Sequence, residues 1–161
     1  MTIKVGDRLP NATFRLATAD GAKPATTREF FGGRKIVLFG LPGAFTPTCH
    51  KNHLPGFLAN EAAFKAKGVD EIAMTAVNDH YVLAAWAEAT GAKGHIAFLA
   101  DGAADFARAA GLDFDASASG LGVRSKRYAM LVEDGVVKLL NIEEAPGKVD
   151  LSGAKHLLAQ M

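Results

Sequence analysis

The chain has 161 residues with a formal net charge of +1 at pH 7, and no stretch approaches the ~20 apolar residues of a membrane span. Near-neutrality removes the electrostatic case for a nucleic acid or an anionic membrane as partner. A hydrophobic share of 49% marks one soluble globular domain over residues 1–161, while the absence of an N-terminal apolar signal core and a single cysteine point to the cytoplasm.

Taken in chain order, Ala12 to Leu16 alternates as a short strand does. Thr27 to Phe31, stopped by Gly32-Gly33, reads as a capped helical turn. Ile36 to Leu41 is continuously apolar, the pattern of a central parallel strand. Residues 47–67 space Leu54, Phe57, Leu58 and Ala62 as a helix does, with a kink expected at Pro55-Gly56. A strand at Glu71 to Val77 and a helix at Tyr81 to Ala89 closed by Gly91 follow. Then come a strand at Ile96 to Ala100 and a helix at Ala103 to Ala110 closed by Gly111. Phe114 to Lys126 reads as a loop. Asp134-Gly135 joins Tyr128 to Glu133 and Val136 to Ile142 as a hairpin, and a last helix runs from Ser152 to Gln160. This order predicts an α/β, thioredoxin-like fold, with a central mixed β-sheet covered by helices on both faces.

The lone cysteine lies in Pro42-Gly43-Ala44-Phe45-Thr46-Pro47-Thr48-Cys49-His50, where a strand gives way to a helix. An isolated cysteine is most often a small core residue. Here Thr46 suits the N-cap and Pro47 the first helical position, which puts Cys49 in the first turn. Unpaired N–H groups and the helix dipole favour an anion there, and thiols in such settings ionise at about 3.5–7.5 instead of about 8.5. Ionisation alone does not make a fast nucleophile. Lowering a thiol pKa by about three units raises its thiolate fraction at pH 7 roughly thirty-fold. Lost basicity removes about twenty-fold of that reactivity. A fast reaction therefore needs fixed donors for charge that develops in the transition state. For attack on a peroxide, the Thr46 hydroxyl and an arginine from Gly122 to Met130, either Arg124 or Arg127, are the candidates. Pro42 would stiffen the loop and shield it from water.

With Pro42-Gly43-Ala44-Phe45-Thr46-Pro47-Thr48-Cys49 followed by His53 to Phe57, the chain resembles the peroxiredoxins, and within them the type II or peroxiredoxin-five-like subfamily. The resemblance extends over nearly the whole chain, through Lys4 to Pro10, Ala76 to Asp79 and the hairpin from Arg124 to Val137. It implies that Cys49 is the peroxidatic cysteine, with Thr46, Pro42 and Arg127 completing the catalytic set. Thr48, Gly43, Phe45 and Arg124 are the candidate substrate-binding positions around it. The implied activity is reduction of hydrogen peroxide and alkyl hydroperoxides through a cysteine sulfenic acid, with no metal, haem or flavin. A homodimer is implied as well. Some relatives carry a second, resolving cysteine near the C-terminus; Gly147 to Ala154 has none, so an external thiol, glutathione with glutaredoxin or thioredoxin, must regenerate the sulfur.

Other chemistries have partial signals. Cys49, His50 and His53 suggest metal ligation, but a zinc site needs three or four ligands, and His53 reads as a residue that packs or bonds locally. A cysteine hydrolase would need a histidine base such as His80 or His95. A disulfide oxidoreductase would want a second cysteine, and a non-catalytic binding module of the same fold is the remaining alternative.

Overall fold

The computed structural model describes residues 1–161. Nine strands and six helices form it: β1 (Thr13–Thr18), β2 (Gly21–Thr26), α1 (Thr27–Phe31), β3 (Lys35–Gly40), α2 (Leu54–Ala59), α3 (Glu61–Ala66), β4 (Glu71–Ala76), α4 (His80–Thr90), β5 (Ile96–Ala100), α5 (Asp105–Ala109), β6 (Asp113–Asp115), β7 (Val123–Ser125), β8 (Tyr128–Glu133), β9 (Val136–Ile142) and α6 (Ala154–Gln160). Seven strands make one mixed sheet in the order β2-β1-β5-β4-β3-β8-β9. Strands β3, β4 and β5 are parallel, and the outer pairs are antiparallel. The arrangement is thioredoxin-like.

The apolar run of β3 is buried on both faces because the sheet is covered twice. Val37 and Phe39 enter a cluster with Leu54, Phe57, Trp86 and Leu157. Ile36 and Leu38 face the other way, onto Phe14, Phe31, Phe106 and Met130. Cys49 belongs to the first of these clusters. No helix is long and apolar enough to cross a membrane.

Local sequence explains most boundaries. The Thr26 hydroxyl accepts from the Glu29 N–H while the Glu29 carboxylate accepts from the Thr26 N–H, a capping box that starts α1. Asp79 accepts from the Val82 N–H at 2.9 Å and starts α4. Gly91 ends that helix at φ 73°. Asp134 and Gly135 both adopt positive φ, as the two-residue hairpin turn between β8 and β9 requires.

Three expectations need correction. The first strand is Thr13–Thr18, and it pairs with β2, which sequence pattern did not reveal. Strand β2 holds Pro24 and lies at the sheet edge, where a missing N–H disrupts no ladder. The segment 114–126 is not wholly loop: β6 and β7 pair across a short 3₁₀ turn at Ser117–Ser119. The helix expected over 47–67 is broken. It opens at Pro47, widens into a π-helical turn over Cys49–His53, continues as α2, stops at Asn60 and restarts as α3. The wide turn, in which the Leu54 N–H reaches the Cys49 carbonyl, precedes Pro55, which has no N–H to return to that turn.

Candidate active site

Residues 41–48 carry the chain from the C-terminal end of β3 to the helix start. The Gly43 carbonyl accepts both from the Thr46 N–H, at 3.3 Å, and from the Thr46 hydroxyl, at 2.6 Å. Between them Phe45 adopts φ 63°, a left-handed conformation that costs a non-glycine residue about 1–2 kcal/mol. The Asn78 side-chain oxygen, just before α4, holds the loop from outside by accepting from the Ala44 N–H at 2.9 Å. Arg124 holds it from another side, donating to the Pro42 carbonyl at 3.2 Å and to the Leu121 carbonyl at 2.9 Å. Gly43 allows that approach: a Cβ there would lie 2.7 Å from Nη1 of Arg124.

The Thr46 hydroxyl does not cap the helix as its position suggested. Its proton is committed to the Gly43 carbonyl. The Thr46 carbonyl accepts from the His50 N–H at 2.9 Å, so the backbone takes its place as helix start. The Thr48 and Cys49 N–H groups have no partner in the protein, as expected of a first turn.

Cys49 is completely buried. Arg127, at the entry to β8, reaches it: Nη2 donates to Sγ at 3.0 Å, Nε to the Pro146 carbonyl at 2.9 Å, and Nη1 to Nδ1 of His53 at 3.0 Å. The Arg127 residue is only 2% exposed, and no carboxylate pairs with it. A guanidinium buried without a carboxylate needs an anion close by, and Sγ is the group in place to supply it. Burial, reinforced by the Arg127 charge, lowers the His53 pKa to about 3, so the imidazole is neutral. Its Nε2 donates to the Ser152 carbonyl at 3.0 Å.

The structure therefore gathers Cys49, Arg127 and the Pro42–Thr46 loop. Arg124 is spent on that loop and makes no hydrogen bond to the sulfur. Thr48 faces the Gly147 carbonyl, at 3.5 Å, on the segment that also carries Pro146. Phe45 is 51% exposed and stacks on His50, which accepts from the Trp86 indole N–H at 2.9 Å. Three contributors were missed. His53 is more than local packing, Asn78 anchors the loop, and the Pro146 carbonyl orients Arg127. His53 left a trace in its four-residue spacing from Cys49, and Asn78 in the Ala76 to Asp79 stretch that carries part of the resemblance; the Pro146 carbonyl left none. The hydrolase alternative has no dyad, since His95 pairs with Glu61 at 2.8 Å and His80 packs on Tyr81. His53 gives its free nitrogen to Arg127 instead of the sulfur.

The Redoxin family model matches residues 4–158. Relatives named peroxiredoxins are 38–49% identical over 83–98% of this chain's length. The chain therefore belongs to the peroxiredoxin family. Among similar proteins, peroxiredoxin-2E-2 (chloroplastic) of Oryza sativa subsp. japonica is 49% identical, over 98% of this chain and 72% of that protein. Peroxiredoxin-2C of the same plant is 43% identical, over 97% and 96%. The crystal structure of reduced Prx3 from Vibrio vulnificus in complex with hydrogen peroxide superposes with a TM-score of 0.93 at 47% identity, covering 99% of each chain. Within the family, this peroxiredoxin falls in the type II, peroxiredoxin-five-like group, and it carries one cysteine.

Proposed function

We propose that this peroxiredoxin reduces hydrogen peroxide and alkyl hydroperoxides at Cys49 and is returned to the thiol by an external thiol, glutathione with glutaredoxin or thioredoxin. The observation that carries this reading is the 3.0 Å contact between a carboxylate-free, buried Arg127 and Sγ.

In the first step the Cys49 thiolate attacks the terminal oxygen of ROOH. The S–O bond forms as the O–O bond breaks, and the leaving alkoxide takes a proton to depart as ROH. Arg127 has N–H groups beyond its three protein contacts to meet the charge building on the peroxide oxygens. The unpaired Thr48 and Cys49 N–H groups add to that field. With its own proton fixed on Gly43, the Thr46 oxygen offers lone pairs to the O–H of the incoming hydroperoxide, which orients the attacked oxygen. Pro42, also buried, keeps water from the sulfur.

The sulfenic acid then meets a second reactant. An external thiol attacks sulfur, water leaves, and a mixed disulfide forms; a second thiol releases Cys49 with formation of the external disulfide. Because Sγ is fully buried, the first helical turn has to open before a bulky thiol reaches it. A homodimer is part of the same proposal. Phe45 at 51% and Leu121 at 39% exposure on connections, and Tyr81 at 76% in the first turn of α4, lie near the cysteine end of the sheet, and pairing would cover them.

The test is NADPH-coupled peroxide turnover with glutathione plus glutaredoxin, and separately with thioredoxin. Turnover with at least one system, and none by a folded Cys49→Ser variant, is expected. Failure with both systems, or turnover by the serine variant, would overturn the proposal.

A further inference from the structure

His53 has no part in the chemistry just described, yet it is fully buried against the arginine that does. A carbonyl only accepts and a guanidinium only donates. The Ser152 carbonyl at 3.0 Å therefore fixes the imidazole proton on Nε2, and Arg127 fixes Nδ1 as an acceptor. The ring packs edge-on against Phe39 and Phe57, which are stacked on each other at 4.2 Å, at centroid distances of 5.2 and 5.6 Å.

Its far anchor is equally constrained. Ser152 gives both its N–H and its hydroxyl to Glu143, each at 2.6 Å, and the Leu151 N–H reaches the other oxygen of that carboxylate at 3.2 Å. A continuous chain of contacts thus runs from Glu143 through Ser152, His53 and Arg127 to Sγ. The guanidinium is planar, so two fixed points determine where its third nitrogen lies. Nε is fixed by Pro146 and Nη1 by His53, which leaves Nη2 aimed at the sulfur.

We propose that His53 is a positioning residue for peroxide reduction: Nδ1 sets the plane of the Arg127 guanidinium against Cys49 and the oxygen it attacks. The neutral imidazole keeps that acceptor available across the working pH range. This inference rests on the peroxidase reading above.

Two amide substitutions separate the ring's functions. The amide of His53→Asn can stand where Nδ1 stood and accept from Arg127, while losing the bond to Ser152. The amide of His53→Gln reaches the Nε2 position and keeps the Ser152 bond, while losing the acceptor for Arg127. Each folded variant is tested by stopped-flow for its second-order rate with hydrogen peroxide and for its melting temperature. Asn should remain within about fivefold of the native rate, and Gln should fall by about 10- to 100-fold, by analogy with the loss of residues that orient metal ligands. Gln should nevertheless melt no lower than Asn. Activity and stability would then rank in opposite orders, which a merely structural histidine does not produce. In an Arg127→Lys background, adding His53→Gln should lower the rate less than about twofold, because the group being positioned is gone. Equal rates for Asn and Gln, or the full Gln loss repeated in the lysine background, would overturn the inference. Native-like rates in folded Cys49→Ser would instead overturn the peroxidase reading on which it rests.

Discussion

Replacing Arg127 by Lys keeps a positive charge at the site but removes the planar fork. In the native protein three separate nitrogens engage Pro146, His53 and Cys49 at 2.9, 3.0 and 3.0 Å. One ammonium on a flexible stem cannot occupy all three positions, so at least one acceptor loses its donor. The catalytic consequence is loss of oriented donation to the peroxide oxygens. Deleting one such donor costs about 100- to 1000-fold, or ~2.7–4 kcal/mol of transition-state stabilisation. A buried acceptor left unpaired costs a further ~1–3 kcal/mol of stability, so melting temperature has to be followed in parallel. Trp86, the one tryptophan, donates to His50 next to Cys49, and its fluorescence in stopped-flow provides the rate of oxidation. Arg124→Lys is the comparison: that arginine braces the loop through backbone carbonyls, and its loss should be the smaller. A folded Arg127→Lys variant within about threefold of the native rate would refute the reasoning from oriented donors. So would a greater loss at Arg124.

Thr46→Ser keeps the hydroxyl bonded to Gly43 and should retain most of the peroxide rate, whereas Thr46→Val should lose about 100-fold or more; equal rates would show that the oxygen takes no part. Acid should destabilise the protein through His53, whose folded pKa lies at about 3 against an ordinary 6.5. Between those values the unfolded chain binds a proton that the native state refuses, so stability falls as pH falls, by roughly 2–3 kcal/mol between pH 7 and pH 4.5. Glu143 acts in the same direction. Burial alone would raise its pKa, but bonds from Ser152 and Leu151 outweigh that and hold it below the usual value, so its contribution is also lost as pH falls. Urea midpoints at the two pH values should show a smaller loss for a folded His53→Asn variant than for the native protein; equal losses would contradict the assignment to His53.

The features that were legible in sequence are those in which a residue type has one physical use. Thr46-Pro47 before Cys49 marks a helix start, and Asp134-Gly135 marks a two-residue hairpin. Strand β2 was hidden because Ala22, Lys23 and Pro24 lack strand propensity, and only its edge position makes it tolerable. The π-helical turn was visible only as an expected kink. Pro55 announces a missing N–H, but whether the helix bends or widens is decided by what packs there, and the cluster includes both Cys49 and Leu54. Backbone carbonyls are anonymous in a sequence, so Pro146 and Ser152 as partners of Arg127 and His53 could be found only from the fold. The direction of the Thr46 hydroxyl was likewise set by a turn that Phe45 completes at positive φ.

The central claim is that Cys49 takes one oxygen from the peroxide and that no other thiol in the chain can trap the product. Intact-mass spectrometry after one equivalent of hydrogen peroxide, with no reductant present, tests it most directly. The expected result is a gain of one oxygen mapped to Cys49, captured by dimedone and converted by glutathione to a mixed disulfide; excess peroxide should then drive sulfinic and sulfonic products. Oxygen found on a methionine with Cys49 unchanged would contradict the claim. Quantitative disulfide-linked dimer appearing before any sulfinic product would equally contradict it.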